Sequence, residues 1–191
     1  MGCPTSKGSR RSGRFTWSER PAQRAARGQP PGRIVVARVE DRIRALGLEL
    51  PQAFGFPSAN RIGCVAVGEL LFVSGHGPAE IAGVKLAGKV GGDVSEAEAA
   101  LSARACALSM LASAKAEIGD LDRIVKVVEL MGMVNSAPGF NRQFAVIDGA
   151  SDFLVEVFGH RAGQHARAAV GMAELPRDIP VEIKGVFRLG A

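Results

Sequence analysis

Arg167 and Glu182 are the two ionisable residues whose type and setting point most directly to chemistry in this 191-residue sequence. They lie in Ala166-Arg167-Ala168-Ala169-Val170-Gly171-Met172-Ala173-Glu174-Leu175-Pro176 and in the following Pro180-Val181-Glu182-Ile183. A guanidinium presents two parallel N–H donors that match a carboxylate and fix a small acid in space. A carboxyl group beside it can take a proton from water and give one back. The plain alternative is a salt bridge between adjacent strands. Were the two segments a simple hairpin turning at Pro176 to Ile179, Arg167 would stand opposite Arg188 and Glu182 opposite Ala173. The charges would then be about six residues out of register, roughly 20 Å apart at ~3.4 Å per residue. They can share a site only if the strands are not sheet neighbours or if different subunits contribute them.

Ser74-Gly75-His76 is the second group of interest, because it offers a hydroxyl and backbone donors at the end of an apolar run. For His76, a hydrogen bond to backbone competes with a catalytic-base role. His160 and His165 flank a glycine-containing turn without carboxylate or cysteine partners at useful spacing, so no metal site is expected. Cys3, Cys64 and Cys106 are odd in number, widely spaced and free of any C-x-x-C pattern, which suggests neither disulfides nor zinc. Cys64 and Cys106 are expected to pack as small apolar residues. The loop from Gly83 to Gly92 has neither a Walker lysine-serine pair nor G-x-G-x-x-G, so a nucleotide site is not expected.

The elements that must position these residues follow from hydrophobic spacing. Val35, Val39, Ile43 and Leu46 recur at helical intervals and Gly47 stops the run. Cys64-Val65-Ala66-Val67 and Leu70-Leu71-Phe72-Val73-Ser74 flank Gly68-Glu69 and predict a tight hairpin, followed by a glycine-rich loop from Gly75 to Gly92. A long helix begins near Asp93, with a Ser95/Glu98 capping box, and runs to about Ile118 before Gly119. Its apolar face is drawn through Val94, Leu101, Leu108 and Leu111 with Ala97, Ala105 and Ala112. Ile124 to Val134, apolar on nearly both faces, predicts a central strand covered on both sides. A helical region from about Asn141 to Phe158 is expected to break at Asp148-Gly149-Ala150. Arg167 to Leu175 and Ile179 to Leu189 read as strands joined at Pro176-Arg177-Asp178. This order fits an α/β or α+β layer with helices on one face. A second apolar sheet face with no third layer to cover it calls for oligomerisation.

Charge is divided unevenly. Residues 1 to 33 carry eight basic residues against Glu19 alone, leaving sixteen basic and eighteen acidic residues behind them, so the +5 of the chain becomes −2 for the remainder. The basic pI belongs to the leader, and with no Tyr and one Trp the rest is poor material for nucleic-acid binding. The leader, rich in Arg, Ser, Gly and Pro, reads as disordered. Its composition is also that of an organelle transit peptide, and a translation start placed too far upstream would leave the same stretch. The expected division is therefore a basic leader over 1–33 and a folded domain over 34–191. No apolar run approaches the ~20 residues that span a bilayer, and the leader lacks a secretory apolar region, so a cytoplasmic protein without membrane contact is expected.

The Arg167-to-Glu182 stretch resembles the C-terminal signature of the RidA family, also called the YjgF family. Leu71-Phe72-Val73-Ser74-Gly75-His76 similarly resembles that family's early strand ending in Ser-Gly-Gln. The resemblance covers about residues 58 to 189 and is closest to a less characterised subgroup. It implies a chorismate-mutase-like α+β fold, a mixed sheet with two main helices on one face, and a homotrimer with ligand sites between subunits. It further implies cofactor-free hydrolysis of small 2-imino or enamine acids to 2-oxo acids and ammonia. In that reading Arg167 holds the carboxylate, Glu182 assists water, and Ser74, Gly75, His76 and Ala169 line the cleft. The sequence departs from the family pattern in three places: Ala169 replaces a common cysteine, Lys184 replaces the second acid of Glu-x-Glu, and the usual tyrosine is missing. A non-catalytic trimeric carboxylate-binding protein is the alternative, and ribonuclease activity is a third reading that the −2 charge disfavours.

Overall fold

A computed structural model describes residues 39–57 and 59–190. The expected leader, and Val35 of the first helix, lie outside the described residues. Those described fall within one compact unit.

The chain order is α1 (Val39–Ala45), β1 (Cys64–Val67), β2 (Leu70–His76), α2 (Glu96–Ile118), β3 (Ile124–Asn135), α3 (Gln143–Phe158), α4 (His160–Gly163), β4 (Ala166–Met172) and β5 (Val181–Leu189). The β1–β2 hairpin forms with Val65 opposite Phe72, and Gly68 takes the positive φ that its two-residue turn requires. Five strands make one sheet in the order β1-β2-β5-β3-β4. β4 runs parallel to β3, which is possible because α3 carries the chain back across the sheet between them. The other pairs are antiparallel. β4 and β5 are therefore not a hairpin: they flank β3 on opposite sides, joined by a 3-10 turn over Pro176–Asp178.

Both long helices pack on one face of the sheet. β5 alternates cleanly, with Val181, Ile183, Phe187 and Leu189 buried and Glu182, Lys184, Val186 and Arg188 turned outward. The capping box at the start of α2 is complete: Glu98 N–H donates to Ser95 Oγ, and Ser95 N–H donates to Glu98 Oε2.

Three expectations are corrected. The apolar face of α2 does not pass through Leu101 and Ala97, which are exposed; Val94, Ala105, Leu108, Leu111 and Ala112 are buried as expected, and Ala99, Ala103, Cys106, Ala107, Met110 and Ala114 are buried with them. An alanine-rich helix is nearly uniform in hydrophobicity, so its packing partner selects the face. α3 does not break at Asp148-Gly149-Ala150 but is continuous. Gly149 is there because α2 and α3 touch at backbone distance, and a Cβ at 149 would collide with the carbonyl of Ala100. Finally, β3 is covered on one side only within this chain, leaving Val125 and Val128 exposed. No helix of the described residues is long and apolar enough to cross a membrane.

Candidate functional site

Arg167 lies in β4, at an outer edge of the sheet, in register with Leu130 of β3. Leu130 is fully buried beneath the helices, so Arg167 shares the helix-covered face. Its Nη1 donates to Asp148 Oδ1 at 2.7 Å and to Ser151 Oγ at 2.9 Å, both on α3. The network continues inward. His165 Nδ1 lies 2.7 Å from the Gly163 carbonyl, which can only accept, so this nitrogen carries the proton and Nε2 accepts from Ser151 Oγ at 3.0 Å. Burial lowers the pKa of His165 against the opposing pull of the Gly163 carbonyl, and the positive charges of Arg167 and Lys126 add to the lowering, which favours the neutral ring that this donor order requires. Ala169, two residues on, packs against the core on the same face.

Glu182 occupies a different setting. It is in register with Met133 of β3, which has the opposite parity to Leu130, and so faces the open side of the sheet. Its carboxylate rests against Gly75, where any Cβ would collide with Oε1. Burial pushes the Glu182 carboxyl above its ordinary range, while Arg61 and Arg177 pull it back down. Each of these arginines is stacked on a phenylalanine, Arg61 at 5.2 Å from the Phe56 ring centre and Arg177 at 5.5 Å from that of Phe54. The two rings meet edge to face at 5.0 Å, and Phe56 meets His76 at 5.9 Å. Arg177 and Asp178 both adopt φ 57°, a left-handed conformation disfavoured for residues other than glycine. Two hydrogen bonds hold this turn: Asn135 Nδ2 donates to Asp178 Oδ1 at 2.8 Å, and Gly88 N–H donates to the Asp178 carbonyl at 2.8 Å.

The other expected residues divide between contact and support. Gly75 is part of the Glu182 notch. Ser74 is a tether: its hydroxyl donates to the Ile62 carbonyl at 2.7 Å and its N–H donates to the Gly63 carbonyl at 2.9 Å, holding the segment that carries Arg61. His76 is buried and turned toward α2, not into the notch. Its Nδ1 donates to the Ser74 carbonyl and its Nε2 accepts from Ser113 Oγ, both at 2.7 Å. Burial, the larger influence, lowers its pKa against the opposing pull of the Ser74 carbonyl. The backbone-bonding reading of His76 is the one the geometry shows. Burial drives the Cys64 thiol up to about 12 and the Cys106 thiol well above its ordinary range, so both are inert packing groups.

Within one protomer, Arg167 and Glu182 are not brought together. They project from opposite faces of the sheet, on strands separated by β3 and three register positions apart along it. Arg61, Arg177, Phe54 and Phe56 are the site residues that sequence reading missed. Pro176-Arg177-Asp178 signalled a turn but not its left-handed geometry, and Arg61 lies far from Glu182 in sequence. Among the described residues, Glu40, Asp120 and Asp122 form a group whose ligand atoms lie within 4.8 Å of one another. Neither Arg167 nor Glu182 belongs to it, and Lys115 already pairs with Glu40 at 3.0 Å.

A mixed five-stranded sheet with its helices on one face and an acid flanked by arginines on the other defines an α+β protein of the chorismate-mutase-like class. Comparison with known proteins gives the family. Residues 40–179 match the family described as "YjgF/chorismate_mutase-like, putative endoribonuclease". The chain belongs to this YjgF, or RidA, family. The curated relative "Protein TCP17" of Trypanosoma cruzi is 40% identical over 156 residues, covering 82% of this chain and 97% of that protein. A crystal structure of the protein Atu1372 of unknown function from Agrobacterium tumefaciens is 42% identical with TM-score 0.73, covering 80% of this chain and 92% of that one. The structure of a "putative endoribonuclease" from Shewanella oneidensis is 30% identical with TM-score 0.74, covering 80% and 99%. The family match ends before Glu182, so Glu182 rests on its own geometry.

Proposed function

We propose that the protein is a cofactor-independent deaminase that hydrolyses small reactive 2-imino or enamine acids to 2-oxo acids and ammonia, working in the cytoplasm as a homotrimer. The observation that carries this reading is Glu182: a half-buried carboxyl, pressed against Gly75 on the open sheet face, whose affinity for protons is raised by burial. Such a group can exchange a proton with water nearer to neutral pH than an ordinary glutamate. Because Arg167 faces the other side of its own sheet but stands on the edge strand β4, the pair meets only when one protomer supplies Arg167 and its neighbour supplies Glu182. The uncovered face bearing Val65, Phe72 and Val128 supports that assembly.

In this scheme the Arg167 fork releases Asp148 and takes the substrate carboxylate, setting the imine carbon beside Glu182. Glu182 accepts a proton as water oxygen bonds to that carbon, giving a carbinolamine. Starting from the protonated imine, it then gives that proton to nitrogen and takes the hydroxyl proton of the carbinolamine as the C=O bond forms and the C–N bond breaks, so that ammonia leaves the 2-oxo acid and the last proton passes to solvent. Imine hydrolysis in water is already easy, so positioning and one acid/base group suffice.

The test is to generate 2-iminopropionate in situ and follow its decay with wild type, Arg167→Ala and Glu182→Gln. Wild-type acceleration should fall at least about tenfold in each variant, in line with the ~10²–10⁴-fold contribution of general acid–base groups. Ala169 and Lys184 favour a second reading, a trimer that binds small acids without turning them over. No acceleration alongside measurable 2-oxo acid binding would select it, and RNA cleavage surviving Arg167→Ala would point to the ribonuclease reading.

A further inference from the structure

Arg61 and Arg177 carry more positive charge to Glu182 than a single-carboxylate ligand needs. Neither guanidinium closes an ion pair with Glu182, although both lie near enough to depress its pKa. Each instead lies over a phenylalanine ring, a contact that stabilises the cation through the ring face and leaves N–H donors for a further partner. The support beneath them is costly. Arg177 sits in a left-handed turn that Asn135 and Gly88 hold in place, and Ser74 pins the segment bearing Arg61. Lys184, two residues from Glu182 on the same outward face of β5, adds a third positive charge. A substrate whose first carboxylate is taken by Arg167 would leave this second group of cations without a counter-charge.

We infer that the substrate class is dicarboxylic 2-imino acids, with the distal carboxylate received by Arg61 and Arg177 on the open face beside Glu182. This rests on the deaminase reading for its first carboxylate and its reaction, but the distal subsite belongs to one protomer and can be measured without turnover. The imines of aspartate and glutamate are the matching compounds. The overall reaction stays balanced: water adds across the C=N bond, ammonia departs, and the distal carboxylate is unchanged.

Two measurements decide it. In the first, imines are produced in situ by amino-acid oxidases from alanine and from aspartate, and decay is followed with the full chain. The expected kcat/KM for 2-iminosuccinate exceeds that for 2-iminopropionate by at least tenfold, and Arg61→Gln or Arg177→Gln brings the ratio toward one, chiefly through KM for the dicarboxylate. In the second, calorimetry compares 2-oxoglutarate with 2-oxobutyrate, with the dicarboxylate expected to bind at least tenfold more tightly and to lose that margin in the same variants. Turnover of both imines with no preference overturns the inference and spares the deaminase reading. Failure to accelerate either imine, with 2-oxoglutarate still preferred, does the reverse. Equal or undetectable binding of both acids overturns the inference whatever the kinetics show.

Discussion

The protonation of Glu182 reflects two opposed influences, and each can be removed separately. Burial raises its pKa, while Arg61 and Arg177 lower it. If Glu182 is the working base, the acid limb of kcat/KM lies above the ordinary 4.5 of a glutamate. Arg177→Gln should move that limb to higher pH, because a cation favouring the carboxylate is lost; a limb that stays put would show that Arg177 does not act on Glu182. His76 makes a different prediction. Burial holds its pKa below 6.5, so the unfolded chain binds the proton more readily than the folded one. Its contribution to stability is full above pH 6.5 and is lost as pH falls through the lowered folded value. Urea unfolding from pH 7.5 down to 5 should show stability falling, with a shallower slope in His76→Gln; a parallel slope would place the acid sensitivity elsewhere. Position 76 shows what local spacing leaves undecided. A histidine after Ser-Gly can face a ligand or bond to backbone, and it is the register shift between Val73 and His76 that turns it toward α2 and Ser113.

At the level of elements, the contact between α2 and α3 sets how the helical layer sits on the sheet. Gly149 has no side chain because the Ala100 carbonyl occupies that space. Gly149→Ala should therefore destabilise the protein by about 1–3 kcal/mol, the usual cost of overpacking, even though alanine is the better helix former. Chemical denaturation checks the sign, and a stabilised variant would mean that the helices do not approach so closely. The same glycine misdirected the sequence reading, which placed a helix break where a packing contact exists. The β1–β2 hairpin and the α2 cap were legible because their signals are local: Gly68-Glu69 between two apolar runs, and Ser95 three residues before Glu98. The buried surface of α2 was legible only in part, at Ala105, Leu108, Leu111 and Ala112, since a helix with alanine on every side carries no strong direction of its own.

At the scale of the whole molecule, helices cover one sheet face and leave Val65, Phe72 and Val128 exposed on the chain by itself. If the trimer forms over this face, Phe72→Asp should lower the mass seen by sedimentation to that of one chain and abolish imine hydrolysis together with it. A monomeric variant that kept full activity would separate the chemistry from the assembly. The sequence alone determined the order of the main elements, the hairpin and the family, and singled out Arg167 and Glu182 as candidates, because each is written in neighbouring residues or in a contiguous motif. It also showed by register arithmetic that a hairpin could not join these two charges. Only the tertiary structure decided that β4 and β5 straddle β3 and present Arg167 and Glu182 on opposite faces, and that Arg61 and Arg177 converge on Glu182. The physical reason is that a strand's two faces alternate with every residue, but which neighbour it pairs with depends on chain crossings made by distant elements.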